Sequence, residues 1–393
     1  GVTGAVTLEG TALTVGDGTF AGVIGNGSAA GSLVKAGAGT LTLSGVNTYT
    51  GSTMVNAGTL VLSGAGRLAS TRVMVASGAG LTVAGGALLP ATTVLTVDGQ
   101  VDLSSAAVEL LTLNGLGGAV VSLDGTVLKV ANGTFAGALR GTGSLEKVNA
   151  GTLTLSGVSD YSGTTTVRDG GLVVTGTGSL ASTTLSVLGS GALTLADGAS
   201  IPASTLLTVD GAVTMSSSAV ALQSLSGAAS GSVMLNGTTL TVTTGVYAGV
   251  LAGTGSLEKA NAGTLTLGGA STYTGSTTVN GGVLALGVSG ALSGSTAVTV
   301  NGGAELALGA TVQGVGSVVL NDGTISGGSL TGTDYLVKKG VVTSVLGGPG
   351  GLTKATADEV VLGGANTYTG ATLVSAGRLV LGVDSALSGT TAV

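Results

Sequence analysis

Short runs in which every second residue is apolar recur along the whole chain. Thr40-Leu41-Thr42-Leu43, Thr59-Leu60-Val61-Leu62, Thr71-Arg72-Val73-Met74-Val75, Thr93-Val94-Leu95-Thr96-Val97 and Ala119-Val120-Val121-Ser122-Leu123 alternate apolar side chains with Thr, Ser or Ala. That period of two belongs to strands buried on one side, and β-branched threonine and valine fit the pleat. Between the runs stand Asn-Gly pairs at Asn26, Asn114, Asn132, Asn236, Asn280 and Asn301, and Asp-Gly pairs at Asp98, Asp124, Asp197, Asp210 and Asp322. Such pairs tolerate positive φ and make tight corners. No stretch carries a helical period, so the pattern predicts an all-β chain.

The pattern also repeats at long range. Gly-Thr-Leu-Thr-Leu-Ser-Gly-Val from Gly39 returns unchanged at Gly151 and nearly so at Gly263. Lys35, Lys147, Lys259 and Lys354 are spaced by 112, 112 and 95 residues, and Tyr49, Tyr161, Tyr273 and Tyr368 by the same intervals. A fixed period marks modules that bury apolar faces against their neighbours, which gives a solenoid rather than a globule around one pocket. The divisions read from it are 1–30, the end of a preceding repeat; 31–142, 143–254 and 255–349, three repeats; and 350–393, the start of a fourth, all within one array over 1–393. No polar cap is visible at either end, so the chain is expected to be a fragment of a longer polypeptide.

Equivalent strands give the size of a coil. Gly39 and Gly58 open similar strands 19 residues apart, and Gly80 follows 22 later, which implies a rung of roughly 20 residues. About six rungs would fill 112 residues, and the third repeat, 17 residues shorter, would lack one whole rung. The expectation is a right-handed parallel β-helix of roughly 20 rungs. A propeller would need hairpins in a four-strand period of about 40–45 residues.

Composition narrows the picture. Only 8% of residues are charged and 43% are apolar, the opposite of a disordered chain. The 76 glycines have no Gly-X-Y period and there are 3 prolines, which excludes collagen. No apolar run reaches the ~18 residues of a membrane helix, so no membrane span is expected. A net charge of −6 offers no basic patch, so nucleic acid is not an expected partner.

Gly143-Ser-Leu-Glu-Lys-Val-Asn-Ala-Gly-Thr-Leu-Thr-Leu, with the Tyr161-Ser-Gly corner and the Thr-rich strand after it, and its counterparts from Gly31, Gly255 and Gly350, closely resemble the autotransporter-associated β-strand repeat, the passenger-associated transport repeat of bacterial type V secretion. The fourth departs from the pattern, with Asp358-Glu359-Val360-Val361-Leu362 where the others have Gly-Thr-Leu-Thr-Leu. The resemblance implies a secreted β-solenoid and location at the bacterial cell surface. Zero cysteine suits a chain that crosses an oxidising periplasm unfolded.

Candidate chemistry is sparse. With no His and no Cys, the common general base, thiol nucleophile and soft metal ligands are missing. The nearest approach to a glycosidase carboxylate cluster is Asp98, Asp102 and Glu109, but the next repeat has Met215 and Leu222 near the corresponding places. Asp358 and Glu359 are adjacent and would face opposite sides of a strand. Asp-Gly corners lack the nine-residue rhythm of calcium-binding rolls. Asn26, Asn132 and Asn236 open glycosylation-type triplets that also read as turns. The four corner tyrosines offer aromatic faces for sugars, yet at about 29 Å apart they make no continuous track, and corner packing is the expected role. Leu33, Leu41, Leu145, Leu153, Leu257, Leu265 and Leu352 are the expected inward-facing core. We therefore expect no catalytic, cofactor or metal residue and no enzyme. The expected function is an extracellular structural or adhesive rod or fibre, with end-to-end self-association and a host or neighbouring-cell surface ligand as partners. The alternatives are a monomeric passenger adhesin whose site lies outside these residues and, third, a carbohydrate-active β-helix.

Overall fold

The computed structural model describes residues 4–387; positions 1–3 and 388–393 of the first and last predicted divisions lie outside them. Among the described residues there is no helix, and the strands stack in parallel as a β-solenoid of about 19 turns. Two compact units divide between Pro202 and Ala203.

In the first unit each turn crosses three faces. On the first face Leu33 stacks on Thr53, then on Val73, Leu95 and Leu113, all parallel and in register. On the second face Leu41, Leu60, Leu81, Val101, Val121 and Leu139 form a column of the same kind. On the third, Val46, Arg67 and Leu88 meet by single bridges, and Val108, Leu128 and Leu145 by full strands. Register is fixed because a slip of one residue would turn every inward side chain outward. The second-face column is 3% exposed or less throughout, and each of its Leu and Val residues contributes roughly 1.5–3 kcal/mol by leaving water. The outward neighbours on the same strands run Thr42, Val61, Thr82, Asp102, Ser122 and Arg140. The alternation read from the sequence is this inside and outside.

The second unit has the same construction. Leu257 stacks on Thr277, Val298, Val318, Tyr335 and Leu352 in turn. All seven leucines expected in the core are buried.

The phase of the repeat differs from expectation. In the first unit the first-face column runs from Leu33 through Leu113 to the strand of Gly133 and on to Leu153. Leu153 is the counterpart of Leu41, not of Leu33, and Leu145, the counterpart of Leu33, sits on the third face. A 112-residue repeat therefore covers five turns and two of three faces, not six whole rungs. The second unit shows the same handover into its first full repeat, where Gly245 stacks on Leu265 and Leu240 on Leu257. By contrast, Leu257 and its counterpart Leu352 share one column five stacking steps apart. The 95-residue repeat is a whole number of turns, and its shortening removes two faces rather than a rung. Strands on the three faces look alike in sequence, so their spacing gives the turn length without the phase.

Candidate functional site

Each repeat opens with a lysine on an inward strand position, between positions that face water. Lys35, Lys147, Lys259 and Lys354 are all 0% exposed. An ammonium has three protons to donate and no acceptor, and burial without partners would be costly. The backbone supplies the partners. Lys35 Nζ donates to the carbonyls of Ala36, Gly37 and Ala57 at 3.3, 2.8 and 2.8 Å. Lys147 donates to those of Val148, Asn149 and Asp169 at 2.7, 2.6 and 2.9 Å. Lys259 donates to those of Ala260, Asn261 and Gly281 at 2.9, 2.8 and 2.8 Å. Two carbonyls come from the lysine's own corner and the third from the corner one turn on, so the ammonium ties successive turns together.

Local backbone makes the cage possible. Gly37, Asn149 and Asn261, the second acceptors, have φ of 82°, 59° and 58°, a left-handed conformation that glycine and asparagine adopt most readily. The residue after the third acceptor is Gly58, Gly170, Gly282 or Gly377, with φ of 63°, 66°, 62° and 74°. A Cβ on Gly58 would stand 2.7 Å from Lys35 Nζ and 2.2 Å from the Gly39 oxygen. The fourth repeat has Thr356 at the second-acceptor position, and its φ is not positive, as befits a β-branched residue. There Lys354 donates to the Thr356 carbonyl, to the Ala376 carbonyl at 3.2 Å and to the Thr356 hydroxyl at 3.4 Å.

Burial pulls the Lys147 and Lys259 ammonium groups below the usual lysine range, against the Asp169 charge in the first case. A lysine with a lowered pKa has the makings of a nucleophile. Here all three donors are engaged and the side chain has no access to water, so the group braces the fold.

The tyrosines behave in the same way. Tyr49, Tyr161, Tyr273 and Tyr368 are 0% exposed, and their hydroxyls meet Thr53, Thr165, Thr277 and Thr372 at 2.7, 2.6, 2.5 and 2.7 Å. Their faces are not open to sugars. Two residues before each tyrosine, Asn47, Ser159, Ser271 and Asn366 accept from the backbone nitrogens of Ile24, Leu139, Leu251 and Leu346 in the preceding turn. Each repeat therefore carries a buried polar bracing set: a caged lysine, an Asn or Ser, and a Tyr–Thr pair.

The carboxylates are not brought together. Asp98 lies at a corner, Asp102 points outward from the second face and Glu109 outward from the third. The Asp102 carboxyl is raised above its usual range by burial and by Asp124. Glu359 pairs with Arg378 at 3.3 Å and Lys339 with Asp322 at 2.8 Å. Among the described residues no group of three or more His, Cys, Asp or Glu is placed to hold a metal ion. Glu146 lies between Arg168 and Lys129, with the Lys129 Nζ at 3.9 Å.

Residues 33–62, 145–174, 257–286 and 352–381 match the passenger-associated-transport-repeat family. Four segments of the chain are thus similar to this repeat, and together they cover under a third of it. Each match begins on the caged lysine's strand, two residues before the lysine, and ends four residues after the left-handed glycine, so it frames one bracing set. A stretch of 200 residues, 49% of the chain, is 34% identical to the adhesin BmaC autotransporter of Brucella suis biovar 1 (strain 1330), and the match spans 5% of that protein's length. No solved structure matches the chain. What the sequence reading missed in these repeats was the role of the lysine. Its signal was available in the Gly or Asn two residues after three of the lysines and the Gly 23 residues after all four.

Proposed function

We propose that the chain is a segment of an adhesin-type autotransporter passenger, exposed at a bacterial cell surface, in which the solenoid is a non-enzymatic scaffold. The observation that carries this reading is the direction of the repeat's chemistry. The lysine, the Asn or Ser and the Tyr–Thr pair of each matched segment face inward and are consumed in bracing, while the second face of the first unit presents mainly small or hydroxylated side chains. That is the design of a support, and the related Brucella suis protein is named as an adhesin.

Two forms of the support differ in where contact with a host or neighbouring cell is made. In one the solenoid is itself a fibre, joined end to end by parallel strand edges. In the other it is a stalk, and the binding site lies elsewhere in a longer passenger; the 5% span of the relative favours this second form. Immunogold electron microscopy of intact cells, with antibody to this chain, separates them. Discrete labelled rods rooted at the surface, with cell adherence lost on deletion of the whole passenger and kept when 31–142 alone is removed, is the expected result. Continuous filaments would establish the fibre. Labelling confined to the cell interior would overturn both.

A further inference from the structure

Six Asn-Gly pairs punctuate the chain, and the structure treats one of them differently. Asn26 accepts from the backbone nitrogens of Gly31 and Thr50 and donates to the Thr50 hydroxyl. Asn114 accepts from Thr134 N and Asn132 from the Thr112 hydroxyl. Asn280 and Asn301 belong to a side-chain ladder from Glu258 to Asn321, with Asn280 Nδ2 donating to Glu258 at 2.6 Å, Asn301 to Asn280 at 2.5 Å and Asn321 to Asn301 at 3.0 Å. Asn236 is exposed and has no side-chain hydrogen bond among the described residues, and Gly237 after it is exposed with φ of 74°.

We propose that Asn236 is the chain's site of spontaneous deamidation, a self-modification that converts one corner of the solenoid from neutral to anionic. The Gly237 backbone nitrogen gives up its proton to water and attacks Asn236 Cγ. The new N–Cγ bond closes a succinimide as the Cγ–Nδ2 bond breaks, and Nδ2 leaves as ammonia after taking a proton from solvent. Water then opens the ring at either carbonyl, giving aspartate or isoaspartate. No oxidant or further reactant is needed. A free side chain is required because Cγ must rotate onto the nitrogen, which the bonds at the other five sites resist. Glycine as the next residue brings no side chain to block the attack, and a Cβ placed on Gly237 would meet nothing within 4 Å; the Gly237 N–H, shared between the Thr254 hydroxyl and the Leu235 carbonyl at 3.1 Å each, must leave those acceptors first.

A second observation shows that the corner accepts the aspartyl product. The counterpart of Asn236-Gly237 one repeat earlier is Asp124-Gly125. Gly125 has φ of 70°, and its nitrogen donates to the Thr142 hydroxyl at 3.1 Å, as Gly237 donates to the Thr254 hydroxyl at 3.1 Å. The same turn is thus built with either side chain, and the aspartyl product leaves the turn intact while adding one negative charge.

The test is a time course of the folded chain at mildly alkaline pH, read by peptide mapping and mass spectrometry that resolves aspartate from isoaspartate. The expected result is a gain of about one mass unit at Asn236 at least about tenfold faster than at any other Asn-Gly pair, the ratio that one restraining hydrogen bond supports. The chain in urea should lose that ranking, and N236D should remove the early product while its circular dichroism matches the parent. Equal rates at Asn236 and Asn26 in the folded chain, or a silent Asn236 beside a reacting Asn280, would overturn the proposal.

Discussion

The ammonium of Lys259 donates to the main-chain oxygen of Gly281, 22 residues along the chain and one turn further on, at 2.8 Å. Removing it takes the donor from three part-buried carbonyls at once. Lys259→Met, which keeps the stem's volume, is therefore expected to cost about 2–4 kcal/mol. Because stability in a solenoid is local, the loss should appear as faster amide hydrogen exchange over the turns at 257–286, with distant turns unchanged. Gly282→Ala should act on the same cage from the other side: its φ is 62° and its new Cβ would stand 2.2 Å from the Gly263 oxygen and 2.9 Å from Lys259 Nζ. Protection unchanged in both variants would remove the bracing role.

Alkaline pH tests the tyrosine corners. Burial pushes Tyr273 and Tyr335 up to about 12, and Tyr49, Tyr161 and Tyr247 higher still. An unfolded chain releases its tyrosyl protons near pH 10, so above that value the folded state holds more protons and stability falls as pH rises. The slope is about 1.4 kcal/mol per pH unit for each such tyrosine. Lys147 and Lys259 act oppositely: their folded pKa values are lowered, so stability rises with pH up to the ordinary lysine value. The tyrosines outnumber them. Stability should hold to about pH 10 and then drop steeply, with tyrosinate absorbance and loss of strand circular dichroism appearing together. Tyrosinate appearing near pH 10 with the strand signal intact would contradict the buried corners.

Neighbouring residues Glu146 and Lys147 separate an ion pair from a cage. Glu146 has two cationic partners, but the Arg168 side chain is 56% exposed and that of Lys129 38%, and such pairs are worth about 0–1 kcal/mol and weaken in salt. Among the described residues Lys147 has no ion-pair partner, and its three carbonyl bonds should matter more. Arg168→Ala is expected to cost less than about 1 kcal/mol, with the difference vanishing at high salt. Lys147→Met should cost about 2–4 kcal/mol at any salt. Parallel exchange measurements at low and high ionic strength decide it, and the reverse order would mean that charge pairing, not carbonyl caging, holds this turn.

These contrasts mark what was legible in the sequence. The alternation of Leu41, Thr42 and Leu43 named the inward and outward sides of a strand correctly, because a period of two has one structural meaning. The corner packing of Tyr49 and its counterparts also followed from the sequence. The role of Lys35 did not, because its partners are main-chain oxygens, and their only trace in the sequence is the backbone freedom of Gly37 and Gly58. The phase of the repeat was hidden for a related reason: Leu33 and Leu41 open similar runs, and only the pairing shows that Leu153 continues the column of Leu33. Asn236 was visible as a turn residue, but its difference from Asn26 lies in hydrogen bonds between turns.

The phase itself can be measured, since a chain with no cysteine accepts spin labels only where cysteine is introduced. Glu258 and Thr353 point outward from one column, linked through Thr278, Thr299, Val319 and Leu336 in five stacking steps. Their backbones should lie about 24 Å apart at the spacing of paired strands. Thr42 and Thr154 are counterparts in the 112-residue repeat, yet Thr42 stands on the second face and Thr154 in the first-face column. Their separation combines a longer rise with a step round the coil, so E258C/T353C should give the shorter and narrower distance distribution by pulsed electron–electron resonance, and T42C/T154C the longer. If the 95-residue repeat were simply one rung short of a six-rung repeat, both pairs would lie along a single face and differ by one strand spacing, about 5 Å. A lateral step in the Thr42 pair alone is what a repeat of five turns and two faces requires. The length of a repeat then sets the direction in which its surface points: 112 residues carry it to the neighbouring face, and 95 residues hold it in line.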